Sequence, residues 1–243
     1  MENETKNASP MMIPAAIIVA GVLIAGAVMY SSNPRSGGGK TAEISGETKG
    51  SLPSAPSSAE NVRAVDASDH IRGDSSAKVM VVEFSDLECP FCKRFHETMQ
   101  EVIKSYGGKV AWVYRHFPLD NLHSKARNEA EASECASELG GNDAFWKFVD
   151  GVFEVTPSNN GLDPSELGKI AGSLGLDSGK FEECRASGRS KAHIQRDLED
   201  AVNSGGQGTP HTIVIAKNGK KFLIPGAQSL AAVKQILDAA LAE

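Results

Sequence analysis

Between Val79 and Phe117 the apolar positions change period twice. VMVVEF (Val79–Phe84) is a short β-branched run of the kind that forms a buried strand. Beyond it Phe91, Phe95, Met99, Val102, Ile103 and Tyr106 recur at helical spacing until Gly107-Gly108 ends the run. VAWVYRHF (Val110–Phe117) returns to strand character, so strand, helix and strand predict a βαβ unit with parallel strands. From about residue 124 to 204 the pattern is helical, in five short pieces. Ala132, Cys135, Ala136 and Leu139 line one face of the first, and Phe145, Trp146, Phe148, Val149 and Phe153 mark the second. Leu167, Ile170 and Leu174 mark a third, Phe181 and Cys184 a fourth, and Ile194, Leu198 and Val202 a fifth. TIVIA and KFLI then flank Lys217-Asn218-Gly219-Lys220, which predicts a hairpin with an Asn-Gly turn. Ser229 caps a last helix whose Leu230, Val233, Leu237 and Leu241 face one way. The expected fold class is α/β: a small mixed sheet with helices on both faces, interrupted by a helical insertion at about 124–204.

The N-terminus follows a different rule. MMIPAAIIVAGVLIAGAVMY (Met11–Tyr30) carries no charge over 20 residues, and a helix of that length spans about 30 Å, the thickness of a bilayer's hydrocarbon core. Residues 11–30 are read as one uncleaved transmembrane helix behind a short tail at 1–10. The competing reading is a signal peptide cleaved near Ala25-Gly26-Ala27, although the run is longer than a usual signal core. Only Lys6 precedes the run while Arg35 and Lys40 follow it, so the positive-inside rule does not orient it. Residues 31–60 are rich in Ser, Gly and Pro and nearly empty of large apolar side chains, which predicts a flexible linker. One folded domain, 61–243, remains.

Composition narrows the function only a little. With 40% hydrophobic and 23% charged residues the chain is ordinary for a globular protein, and a net charge of −6 offers no basic footprint for nucleic acid. Two of the four cysteines stand in ECPFCKRFHE (Glu88–Glu97), a C-x-x-C spacing that zinc and redox sites share. Their place in the pattern discriminates. The pair sits where strand passes into helix, with Pro90 at the first helical position, where its missing N–H is not needed. Cys89 is then at or next to the N-cap, beside unpaired N–H groups and the positive helix end, where a thiolate is favoured. Cys92, one turn inside, is shielded and poised to attack a mixed disulfide on Cys89. A zinc knuckle would need a second close pair of ligands, and Cys135 and Cys184 are far apart in sequence, so no metal is expected. Those two cysteines lie on apolar faces of one helical block and are expected to form a structural disulfide, with free buried thiols as the alternative.

VEFSDLECPFCKRFHE, then YRHFPL, then the helical insertion, then GTPHTIV resembles the DsbA-like thiol:disulfide oxidoreductases of the thioredoxin superfamily, over essentially all of 61–243. The resemblance implies a thioredoxin fold with a helical insertion. It also implies a cis peptide before Pro210, set against the cysteine pair, with Thr209, Pro210, Pro90 and Phe91 meeting the substrate. Glu83 matches the family's buried acid, a proton acceptor for the Cys92 thiol; an outward-facing residue on a half-exposed strand is the other reading. The activity implied is oxidation of thiol-containing protein substrates without a cofactor. The implied reoxidant is a quinone-linked membrane protein, and the implied setting is a monomer at the cell membrane with its domain outside the cytoplasm. A disulfide isomerase or reductase with the same site is the nearest rival, and a non-catalytic thioredoxin-fold binding module the next. One departure bears on strength: Phe91 cannot donate a hydrogen bond to a Cys89 thiolate, which predicts a milder oxidant. Of the histidines, His211 is either a charge beside the thiolate or a plain strand residue, and the plain reading is favoured. His96 reads as a solvated helix residue, and His116 and His123 as loop residues with structural roles.

Overall fold

A computed structural model describes residues 57–243. The first strand, β1 (His70–Arg72), is only three residues long, too short to carry a hydrophobic period. The longer strands follow theirs. β2 (Val79–Ser85) and β3 (Val110–His116) pair in parallel, from Val79 opposite Val110 to Ser85 opposite His116. The helix α1 (Pro90–Tyr106) makes the crossover that parallel pairing requires. β4 (His211–Ile215) runs antiparallel to β2, β5 (Lys221–Pro225) antiparallel to β4, and β1 antiparallel to the far side of β3. The order across the sheet is β1-β3-β2-β4-β5.

Both faces of this sheet are covered, which is why β2 and β3 read as nearly unbroken apolar runs. Val79, Val81, Trp112, Tyr114 and Val214 join the larger core with Phe95, Met99 and Val102 of α1. Val82, Phe84, Val113 and Ile213 alternate to the opposite face and pack with Ala201, Phe117, Ala59 and Val62. Ala59 and Val62 correct a boundary: Ser57–Asn61 form a 3-10 turn, and Ala59 is fully buried, so residues 57–60 belong to the fold rather than to the linker. The tail at 1–10, the anchor at 11–30 and the linker at 31–56 lie outside the described residues. Among the described residues no helix is long and apolar enough to cross a membrane.

The insertion consists of α2 (Ala126–Val155), α3 (Ser165–Ser173), α4 (Ser178–Ser187) and α5 (Lys191–Asn203). The first two expected helices are one element broken at Gly141, whose φ of 74° and ψ of −171° interrupt the helical turn. Cys135 on α2 and Cys184 on α4 are joined in a disulfide with Cα atoms 5.8 Å apart. On α5 the apolar reading chose the wrong face at one end. Val202 is 56% exposed, while Asp197 and Asp200 are buried. The reason is a buried cation: Arg115 on β3 donates to Asp200 at 2.6 Å and to both Asp69 oxygens at 2.8 Å, so charged residues face inward there. The hairpin also differs in detail. The loop spans the expected residues 217–220, but Gly219 alone of it takes a positive φ, 88°, with Gly219 N–H donating to Ala216 O. Asn218 therefore does not adopt the left-handed conformation of a type I′ Asn-Gly turn. The chain ends in α6 (Leu230–Leu241), where the Ser229 hydroxyl accepts from the Ala232 N–H.

Candidate active site

At the C-terminal end of β2 the chain leaves the sheet through Asp86, Leu87 and Glu88 and enters α1 at Cys89. Cys89 is the N-cap, in extended conformation with φ −79° and ψ 122°, and Pro90 follows it at the start of the helix. Pro90 and Phe91 are exposed, Phe91 to 54%. The expected contrast between an open Cys89 and a shielded Cys92 is narrower than the pattern implied, with 4% of Cys89 accessible against none of Cys92. Cys89 is covered from the neighbouring strand: the Thr209–Pro210 peptide is cis, and Cys89 Sγ lies 3.5 Å from Thr209 O. The two thiols differ in chemistry more than in access. A hydrogen bond from the Cys92 thiol, helped by the Thr209 hydroxyl and by the Cys92 and Phe91 N–H groups, outweighs burial and lowers the Cys89 pKa to about 6. Burial pushes Cys92 well above the ordinary thiol range, and the charges of Cys89 and Glu83 add to the effect. The reduced pair therefore holds one proton, on Cys92.

Glu83 sits in the middle of β2 and is 1% exposed, so the outward-facing reading does not hold. Its Oε2 accepts from Trp112 Nε1 at 2.9 Å, while Oε1 has no protein partner. Burial raises its pKa to about 7, against hydrogen bonds that favour the carboxylate. A carboxyl group with that pKa exchanges a proton readily at neutral pH, in either direction.

Residues 66–239 match the family model described as thioredoxin. The chain belongs to the thioredoxin family. Among solved structures it is similar to DsbA2 of Pseudomonas aeruginosa, with 27% identity, a TM-score of 0.62, and coverage of 74% of this chain and 98% of that one. A thioredoxin-like oxidoreductase from Silicibacter pomeroyi gives 25% identity, a TM-score of 0.62, and coverage of 76% and 97%. The helical insertion is thus shared with the DsbA-type members of the family. Among curated proteins, a Na(+)/H(+) antiporter NhaA 3 of Salinispora tropica is 37% identical over 153 residues, 63% of this chain. The match covers 22% of that antiporter and 26% of another, so the chain spans about a quarter or less of these relatives' length.

Within this thioredoxin framework two acids beside the cysteines gave no signal in the sequence. Glu88, immediately before Cys89, is fully buried. Its carboxylate accepts the Asn160 N–H, and its backbone oxygen accepts the Asn159 N–H at 2.8 Å. It thereby clamps Ser158, Asn159 and Asn160, three consecutive residues with φ of 63°, 53° and 66°. Glu129 of α2 is 1% exposed, and burial, then the hydrogen bond and charge of Glu88, push its pKa up to about 9. At neutral pH Glu129 is protonated and donates to Glu88. A carboxyl whose folded pKa is raised above its ordinary value lowers stability as pH climbs from that value toward the folded one. Glu129→Gln keeps the donor and removes the titration, so it should stabilise the fold by on the order of 1–3 kcal/mol at pH 8 and by little at pH 5. Urea unfolding at the two pH values checks this; an equal effect at both would contradict a protonated Glu129.

The histidines fall elsewhere. His211 is on the opposite sheet face from Glu83, stacked on Phe84 at 5.6 Å between ring centroids, and so brings no charge to Cys89. His96 is buried rather than solvated, with Nε2 2.6 Å from Asp150 Oδ1. His123 Nδ1 is bonded to Asp86, which also accepts the Leu119 and Glu88 N–H groups and so fixes the loop before Cys89. His116 is the last residue of β3, not a loop residue.

Proposed function

We propose that this protein is a thiol:disulfide oxidase that introduces disulfide bonds into thiol-containing proteins outside the cytoplasm. The observation that carries the reading is the asymmetry of the pair. Cys89 holds its negative charge easily at the helix N-terminus, whereas Cys92 does not. That asymmetry stabilises the reduced form of the pair and makes its disulfide a ready electron acceptor. A substrate thiolate attacks Cys89 Sγ, a substrate–Cys89 disulfide forms, and the Cys89–Cys92 bond breaks. Cys92 leaves as a thiolate and takes a proton from Glu83. A second substrate thiolate then attacks the substrate sulfur, and Cys89 leaves as the stable thiolate. Two electrons have passed from the substrate to the pair. The exposed Pro90-Phe91 and the backbone of Thr209 flank the sulfur that is attacked, and they are the surface an extended substrate chain would meet.

The setting is part of the proposal. The Cys135–Cys184 bridge fits an oxidising compartment, and the apolar run at 11–30 would hold the domain at the membrane. A quinone-linked membrane protein would reoxidise the pair, as the DsbA resemblance implies. DsbA2 and the Silicibacter oxidoreductase support thiol–disulfide chemistry by their names. The antiporter names lend transport no support, because the family match over 66–239 accounts for most of the described fold. The reverse direction, reduction or isomerisation, is favoured by one residue, Phe91, which offers the thiolate no side-chain donor.

Equilibration with glutathione buffers decides the direction. The expected potential lies between about −120 and −180 mV, the range from DsbA to protein disulfide isomerase, with rapid oxidation of a reduced, unfolded protein. A potential near thioredoxin's, about −270 mV, with no such oxidation, would overturn the oxidase reading.

A further inference from the structure

On the sheet edge and the insertion, three imidazoles from three elements converge on one carboxylate. Glu134 Oε1 of α2 lies 2.6 Å from His70 Nε2 of β1, 2.9 Å from His116 Nε2 of β3 and 3.8 Å from His193 Nε2 of α5. One ligand atom each from His70, Glu134 and His193 falls within 4.8 Å of the others. Packing holds two of the rings in place: His70 stacks on Phe145 at 3.5 Å between centroids, and His116 meets the same ring edge-on at 5.9 Å. His70 and His116 are buried, while the His193 side chain is 21% exposed and leaves a way in from solvent.

Hydrogen bonding to Glu134 Oε1 uses two of the three nitrogens, His70 and His116, while His193 Nε2 stands 3.8 Å from it and 3.3 Å from Asp197 Oδ2. Zinc binds imidazole nitrogen and carboxylate oxygen at about 2.0–2.2 Å, which sets neighbouring ligand atoms of a tetrahedron about 3.3 Å apart. The Glu134 Oε1 separations from His70 and His193, 2.6 and 3.8 Å, lie on both sides of that spacing, and all three ligand atoms fall within 4.8 Å of one another, so an ion would draw the two rings together about the carboxylate. We infer that His70, Glu134 and His193 form a three-ligand binding site for a divalent transition metal of the zinc class, with His116 bonded to the Glu134 carboxylate behind them and the fourth position open on the solvent side of His193. The donor set is imidazole-rich and free of thiolate, which suits that class and not calcium or magnesium. Two neighbours must adjust. His193 Nε2 gives up its 3.3 Å contact with Asp197, and Arg196, which donates to His193 Nδ1 at 3.3 Å, turns out toward solvent. The ion would tie β1 of the sheet to α2 and α5 of the insertion. The ligands are spread over three elements from residue 70 to residue 193, so no local spacing in the sequence announces them.

The test uses the untagged full-length chain with Cys89 and Cys92 oxidised, so that no free thiol competes, and zinc ion itself as the probe. Calorimetric titration should show one ion bound per chain, and the melting temperature should rise with zinc concentration. His193→Ala, a partly exposed position expected to fold, should weaken binding by at least about tenfold. Arg196→Ala should tighten it, because a competing cation is gone. Cobalt(II) should give tetrahedral ligand-field bands without thiolate charge transfer. Absence of binding at millimolar zinc, or undiminished affinity in His193→Ala, overturns the inference.

Discussion

Cys89→Ser should abolish disulfide exchange altogether, leaving only the rate of the uncatalysed reaction. The hydroxyl is no leaving group at neutral pH and forms no mixed disulfide, so neither half of the exchange has a route. Cys92→Ala should behave differently, and the difference is the stronger check. It retains an attacking sulfur at Cys89 but no group to resolve the adduct, so substrate–Cys89 disulfides should accumulate and be recovered from cells. The same variant tests the electrostatics. Cys92 supplies the largest of the contributions that lower the Cys89 pKa to about 6. Without it the pKa of Cys89 should rise, yet stay below the ordinary value of about 8.5, because the helix N-terminus and the Thr209 hydroxyl remain. Thiolate absorbance against pH reads this directly. An unchanged exchange rate in Cys89→Ser would instead return the protein to the binding-module reading.

The cysteine pair and Glu83 were legible because each breaks a local rule in a place where chemistry explains the break. Two thiols stand at a change of period from strand to helix, and an acid interrupts an apolar strand. Glu88 and Glu129 break no such rule. A glutamate before a helix and another in ARNEAEASE look like solvated charge, and only the folded structure shows that both are buried, with Glu88 beside Glu129 pushing the Glu129 pKa up. Asp197 and Asp200 misled in the same way. Hydrophobic periodicity assumes that buried means apolar, and it loses the register of α5 once Arg115 draws acids inward. The covering of Cys89 was legible only through the family resemblance and not from local pattern. It depends on Thr209, which lies 120 positions away in the chain and meets the thiol only because β4 pairs with β2. β1 is too short to show a period, and it carries His70, the residue that begins the proposed metal site.

Removing the Cys135–Cys184 bridge should have the largest effect on stability of any change outside the active site. The bridge closes a loop with a sequence separation of 49 residues, for which the chain-entropy model gives about 4 kcal/mol. For a domain of this size that corresponds to a melting temperature lower by about 8–16 °C in a Cys135→Ala, Cys184→Ala double variant. The closed segment contains the break at Gly141 and the left-handed turn at 158–160, regions where the chain departs from regular structure and where the unfolded state gains most from being released. Both sulfurs are buried, but alanine differs from half a disulfide by one atom, so the cavity left behind adds little. Single substitutions are a poorer experiment, because each leaves a free thiol able to attack the Cys89–Cys92 disulfide. Calorimetry and urea unfolding of the double variant measure the loss, with oxidative activity followed alongside. Exchange at Cys89 should persist below the new melting temperature, since Glu88, Thr209 and Pro210 hold the site from elements the bridge does not join. A double variant that melts within a degree or two of the parent would show that the packing of α2 against α4 alone keeps the insertion closed.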